Sequence, residues 1–128
     1  MKKYLGIDWG EKRIGLALAD SENRLATPFK VVGNIKELIK IIGEEEISDL
    51  IIGSPQKMID GQVGNPKFKS FVLVLEKELA DKKISLNFID ERLSSVQADS
   101  LKIGKIKQER DSVSAMIILQ AFLDKYYG

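Results

Sequence analysis

Three acidic positions fall where short apolar segments stop or start: Asp8 after Tyr4–Ile7, Asp90-Glu91 after Ile84–Ile89, and Asp111 just ahead of Val113. The chain contains no cysteine and no histidine. That excludes disulfides, thiolate nucleophiles, zinc ribbons and iron–sulfur clusters, along with imidazole bases and His-ligated metals. A cluster built from carboxylates alone suits hard, oxygen-loving cations, so Mg²⁺ or Mn²⁺ is favoured over Zn²⁺. Ions held this way position and deprotonate a water, and they stabilise the charge that develops during in-line displacement at phosphorus. Without metal, clustered acids repel one another and raise each other's pKa.

Such a cluster needs elements that bring distant residues together. Residues 4–9 and 13–19 are apolar segments separated by Gly10-Glu11-Lys12, a hairpin signal. In the second, Ile14, Leu16 and Leu18 alternate with Gly15, Ala17 and Ala19, the period-2 pattern of a strand with small residues on its other face. Asp20-Ser21-Glu22-Asn23 reads as a turn, and 24–32 as a third strand in which Pro28 is best tolerated at an edge. Ile35, Leu38, Ile39 and Ile42 recur at helical spacing. Leu50-Ile51-Ile52, ending at Gly53, reads as a buried strand. Phe68, Phe71, Val72, Leu75 and Leu79 mark a second amphipathic helix, and 84–89 a further strand. Ser94 with Gln97 forms a capping box that opens a third helix. Asp111 stands at the N-cap of the last helix, with Val113, Met116, Ile117 and Gln120 on one face and Leu119, Phe122 and Leu123 widening it.

The order βββαβαβαα predicts an α/β fold: a five-stranded mixed sheet, strand order 3-2-1-4-5, with helices on both faces. Strands one, four and five then run parallel, and their carboxyl ends share the edge at which open α/β sheets bind ligands. Asp8 and the 90–91 pair start about 9–10 Å apart across strand four. Asp90 and Glu91 point to opposite faces if the strand continues through them, so one of them joins Asp8; Glu91, with the longer reach, is the choice. Each acid also has a plain structural reading. Asp8 suits a strand-ending turn, Asp111 an N-cap worth about 1 kcal/mol, and Asp90-Glu91-Arg92 a solvated loop. Their convergence on one edge is what favours a site.

Basic residues surround these positions. Lys57, Lys67 and Lys69 lie in or just beyond the loop that leaves strand four, and long loops are more often functional than idle. Lys102, Lys105, Lys107 and Arg110 precede Asp111, and Lys12-Arg13 follow Asp8. These bases suit a phosphate backbone, though solubilising surface charge explains them equally well. The whole chain has 128 residues, 20 Lys+Arg against 19 Asp+Glu and a net charge of +1, which argues against a general polybasic binder but leaves room for a local basic face. Its length fits one domain, residues 1–128, of about 14 Å radius of gyration. No signal peptide and no apolar stretch long enough to span a membrane is present, so a cytoplasmic location is expected.

At these residues the sequence resembles the YqgF/RuvX family, the Holliday-junction-resolvase-like proteins implicated as pre-16S rRNA nucleases. Four blocks match in order: Gly6-Ile7-Asp8-Trp9-Gly10 with Lys12-Arg13-Ile14-Gly15-Leu16-Ala17; Ile52-Gly53-Ser54-Pro55 with Met58 and Asp60-Gly61; Asp90-Glu91-Arg92-Leu93-Ser94-Ser95 with Ala98; and Asp111-Ser112-Val113 with Ala115, Ile118-Leu119-Gln120 and Leu123. The resemblance implies a ribonuclease H-like fold and a metal-dependent phosphodiesterase with Asp8, Glu91 and Asp111 as its acids, acting near the 5′ end of the 16S rRNA precursor. In the second block Ser54 stands where the family commonly has Leu, and Ile59 is an extra residue before Asp60.

The expectation is therefore a Mg²⁺/Mn²⁺-dependent endonuclease. Asp8, Glu91 and Asp111 hold the metal, and Lys12, Arg13, Lys57, Lys67, Lys69, Arg92, Lys102, Lys105, Lys107 and Arg110 hold the nucleic acid. Structured precursor rRNA is the favoured substrate, and the protein is a monomer or weak homodimer with no membrane partner. Two rivals stand beside it: a resolvase acting on branched DNA, and a catalytically idle nucleic-acid-binding module in transcription or ribosome assembly.

Overall fold

Side-chain alternation along the first strand, β1 (Lys3–Trp9), divides the molecule into two layers. Leu5 and Ile7 are fully buried on one side, while Tyr4, Gly6 and Asp8 occupy the other. In a computed structural model of the protein, residues 1–54, 66–90 and 107–128 are described. They comprise β1, β2 (Ile14–Asp20), β3 (Thr27–Val32), α1 (Ile35–Glu44), β4 (Asp49–Ser54), α2 (Pro66–Glu78), β5 (Ser85–Asp90) and α3 (Lys107–Tyr127). The helix expected to open at Ser94 lies outside the described residues.

The five strands form one sheet in the order β3-β2-β1-β4-β5, as the element order predicts. β1–β2 and β2–β3 are antiparallel; β1–β4 and β4–β5 are parallel. Pro28 sits on the outer strand β3, where its missing N–H breaks no ladder, and the register slips there by one residue so that Ala17 pairs with Pro28 and Leu16 with Lys30. β4 is buried along its whole length, because helices cover both faces of the sheet; this is why its sequence is a continuous apolar run rather than an alternation.

On the first face, Leu5, Ile7, Leu16, Leu50 and Ile52 pack against Leu38 and Ile42 of α1 and Phe68, Phe71 and Leu75 of α2. Trp9 joins this layer, its ring meeting Phe68 edge-on at 5.6 Å between centroids. Asn34 caps α1, its side chain accepting from the Glu37 N–H at 2.9 Å. On the second face, Tyr4, Ala17, Ala19 and Ile51 pack against Ala115, Ile118, Leu119 and Leu123 of α3.

Helix α3 departs from its sequence expectation in two respects. It begins at Lys107, so Asp111 lies one turn inside, about 6 Å along the axis, instead of at the N-cap. Lys107-Gln108-Glu109-Arg110 contains no apolar residue to extend the hydrophobic pattern backwards, and Asp111 then imitates a cap. The buried face also centres on Ala115 and Ile118, with Gln120 only half-buried. The strands beneath present Gly6, Gly15 and Ala17, and the helix lies closest where the strand residue has no side chain, at Gly15 beneath Asp111 and at Gly6 beneath Ala115.

The far end of α3 is pinned by the Tyr4 and Tyr127 hydroxyls, 2.6 Å apart, by the Arg24 guanidinium 4.4 Å above the Tyr127 ring, and by the Ala26 N–H donating to Gln120 Oε1 at 2.9 Å. Burial, and next the hydrogen bond with Tyr127, push the Tyr4 phenol well above its ordinary range. The folded state thus favours the neutral phenol. Its contribution is complete below pH about 10 and is lost as pH rises past the ionisation of the unfolded tyrosine. Melting curves between pH 8 and 11 should therefore show Tyr4→Phe losing stability less steeply than the native chain, after starting about 1 kcal/mol lower. Parallel pH profiles would contradict this account.

Candidate active site

Asp8 is the last inward-facing residue of β1 before the hairpin. In register, it pairs with Gly15 of β2 and with Gly53 of β4. Directly paired residues point to the same side of a sheet, so the Asp8 carboxylate is flanked on both neighbouring strands by positions without a side chain. One carboxylate oxygen, Oδ1, is fully buried. This is the face covered by α3.

Gly15 also meets Asp111. A Cβ added to Gly15 would fall 2.2 Å from the Asp111 carbonyl oxygen and 3.0 Å from the Ser112 nitrogen. Gly6, two residues before Asp8, makes a similar approach to α3: its added Cβ would lie 2.7 Å from the Ala115 carbonyl oxygen and from the Leu119 Cβ. The first two strands and the last helix therefore meet backbone to backbone at these glycines, and Gly15 has Asp8 beside it in the sheet and Asp111 above it.

Arg13, just before β2, closes the group. Its Nε lies 3.2 Å from Asp111 Oδ2, with both side chains about a quarter to a third exposed. Arg13 is expected on phosphate, yet it pairs with Asp111, one of the expected metal ligands. Lys67, likewise expected on nucleic acid, lies at the start of α2, 3.4 Å from Glu11 of the hairpin and with its side chain 71% exposed. Lys12 and Lys69 are exposed. Lys107 and Arg110 belong to the first turn of α3, but their side chains lie outside the described structure. Lys57, Glu91, Arg92, Lys102 and Lys105 also fall outside the described residues. β5 ends at Asp90, paired with Ser54 and separated from β1 by β4. Among the described residues the site thus brings together two of the three expected acids, Asp8 and Asp111, and no group of three metal-binding side chains occurs there.

Sequence reasoning missed the glycines. Gly15, Ala17 and Ala19 were legible as the small face of a strand, yet nothing in that alternation says that a helix backbone lies on it.

The chain superposes on a fowlpox virus resolvase, solved with substrate Holliday junction DNA, at a TM-score of 0.67 with 7% identity, covering 98% of this chain and 99% of that one. It superposes on Thermus thermophilus RuvC, solved with a Holliday junction substrate, at 0.61 with 12% identity, covering 100% and 97%. The fold is the ribonuclease H-like fold of RuvC-type resolvases. More particularly, residues 2–125 match the model of the family described as RuvX: Holliday junction resolvase, and the chain belongs to that family. Relatives named "Putative pre-16S rRNA nuclease" include one from Maridesulfovibrio salexigens, 36% identical over 94% of this chain and 97% of its own length. Another, from Fusobacterium nucleatum, is 33% identical over 97% and 98%.

A partly exposed ion pair contributes little to stability. Urea denaturation should accordingly place Arg13→Gln within about 1 kcal/mol of the native chain. A loss of several kcal/mol would mean that Arg13 holds α3 on the sheet as well as pairing with Asp111.

Proposed function

We propose that the protein is a divalent-metal-dependent endonuclease that hydrolyses phosphodiester bonds in precursor 16S rRNA, near the 5′ end of the mature sequence. The observation that carries this reading is the meeting of Asp8 and Asp111 at Gly15, on the sheet edge where a parallel α/β arrangement binds its ligands. Membership of the RuvX family, and relatives of matching length named as pre-16S rRNA nucleases, support the substrate class.

The donor chemistry fits a hard cation. In a chain without His or Cys the available ligands are oxygen atoms, and Asp8 and Asp111 supply carboxylates from two rigid elements, with Glu91 proposed as the third. A bound Mg²⁺ or Mn²⁺ supplies an activated water and neutralises charge at the phosphorus. The chain's own contribution is positional and electrostatic. The bare position at Gly15 is taken up by the backbone of Asp111, which lets α3 lie close beside Asp8. Arg13 fixes the Asp111 carboxylate by a charge-assisted contact. Lys12 and Lys69, both exposed, are proposed to meet the backbone phosphates, whereas Lys67 is partly committed to Glu11.

A second reading, cleavage of four-way DNA junctions, is favoured by the family description and by the junction-bound resolvases that share the fold. Symmetric resolution requires two sites, hence a dimer; single cuts in rRNA do not. Purified protein supplied with Mg²⁺ or Mn²⁺ should cut a precursor 16S fragment and lose activity in EDTA. Asp8→Asn should abolish cutting without changing the far-ultraviolet circular dichroism. Full activity in Asp8→Asn would refute the site. Preferential cutting of a four-way junction by a protein that sediments as a dimer would move the assignment to DNA.

A further inference from the structure

We infer that Gly15 is a positioning residue for Asp111, setting how closely the carboxylate carried by α3 approaches the carboxylate of Asp8; the inference rests on the proposed metal-dependent hydrolysis. A glycine inside a strand weakens it through backbone entropy and the lack of a side chain to pack. The usual compensation is access to left-handed backbone, and Gly15 does not use it: it keeps strand pairing, with Asp8 on one side and Val31 on the other, at an ordinary backbone angle. What the site requires is the absence of a Cβ.

The reason is steric. An alanine methyl at residue 15 would stand 2.2 Å from the Asp111 carbonyl oxygen and 2.4 Å from its carbonyl carbon. These are helix backbone atoms, so no rotamer change relieves the overlap. Ordinary contact begins at 3.4 Å, and restoring it moves the first part of α3 outward by more than an ångström. That displacement falls on Asp111 itself, which carries the carboxylate and is held by Arg13. Gly6 provides the internal control. It makes a comparable approach, 2.7 Å to backbone, but to Ala115, one helical turn beyond Asp111.

Calorimetric titration of Mn²⁺ into the full-length protein, with steady-state cleavage in parallel, tests the assignment. Gly15→Ala should bind Mn²⁺ about 10–100-fold more weakly and lose about 100-fold in kcat, with KM little changed. Gly6→Ala should lower the melting temperature by a comparable amount but retain most of the Mn²⁺ affinity. Adding Asp111→Glu to Gly15→Ala should recover part of the binding, because one more methylene restores the reach of a retracted carboxylate. A folded Gly15→Ala protein with native Mn²⁺ affinity and kcat overturns the proposal, as do equal losses of affinity in the two glycine variants. If Gly15→Ala does not fold, Asp111→Glu in the otherwise native chain decides: tight positioning predicts weaker Mn²⁺ binding, and unchanged binding overturns it. A native protein that neither binds Mn²⁺ nor cuts RNA defeats the functional reading and this role with it. A native protein that does both, beside an unaffected Gly15→Ala, defeats only the role of Gly15.

Discussion

The contact on which the rest of this molecule depends is made without side chains. Helix α3 lies on β1 and β2 at Gly6 and Gly15, closely enough that a single methyl group at either position would strike helix backbone. Close-packed interiors transmit small displacements instead of absorbing them. The depth of this one contact therefore governs the second core layer, with Tyr4, Ala17 and Ile51 below and Ala115, Ile118 and Leu119 above. It governs equally whether a residue from the last helix can act together with one from the first strand.

The two faces of β1 divide the work. Leu5, Ile7 and Trp9 hold the sheet to α1 and α2 through a large apolar layer, which carries no charge and gives the sheet rigidity. The opposite face runs from Tyr4 through Gly6 to Asp8, where the apolar layer stops and a charged group begins. Arg13 belongs with this face. It pairs with Asp111 through its Nε, and it immediately precedes the strand whose register sets Gly15 beside Asp8. At the other end, Tyr4, Tyr127 and Arg24 fix the angle at which α3 crosses the sheet.

Much of this was legible in the sequence because the signals were periodic. Alternation in 13–19, the unbroken run at 50–52 and the 3–4 spacing of Phe68, Phe71 and Leu75 fixed the strands, the helices and the sheet order. Asp8 stood out because a charge ends an apolar segment. Less legible were features that depend on what is missing. The first turn of α3 carries no apolar residue, so Asp111 looked like a cap when it is an interior helical position. Gly15 looked like half of a strand pattern, because a sequence cannot say what lies above a residue that has no side chain. Arg13 and Lys67 read as free bases because ion pairing joins residues far apart along the chain, Arg13 with Asp111 and Lys67 with Glu11.

The placement of Asp8 and Asp111 has a consequence for the birth of the protein. One belongs to the first strand and the other to the last helix, about a hundred residues later in the sequence. The hairpin of β1 and β2 is a local structure, whereas the docking of α3 on β1 joins the two ends of the chain and is among the longest-range contacts in the fold. During synthesis chains grow from the N-terminus at about 5–20 residues per second, so Asp8 is made several seconds before Asp111. The machine that makes this protein contains the mature form of the RNA the protein is proposed to process, and a half-made chain still tethered there lacks Asp111 and with it one half of the proposed site.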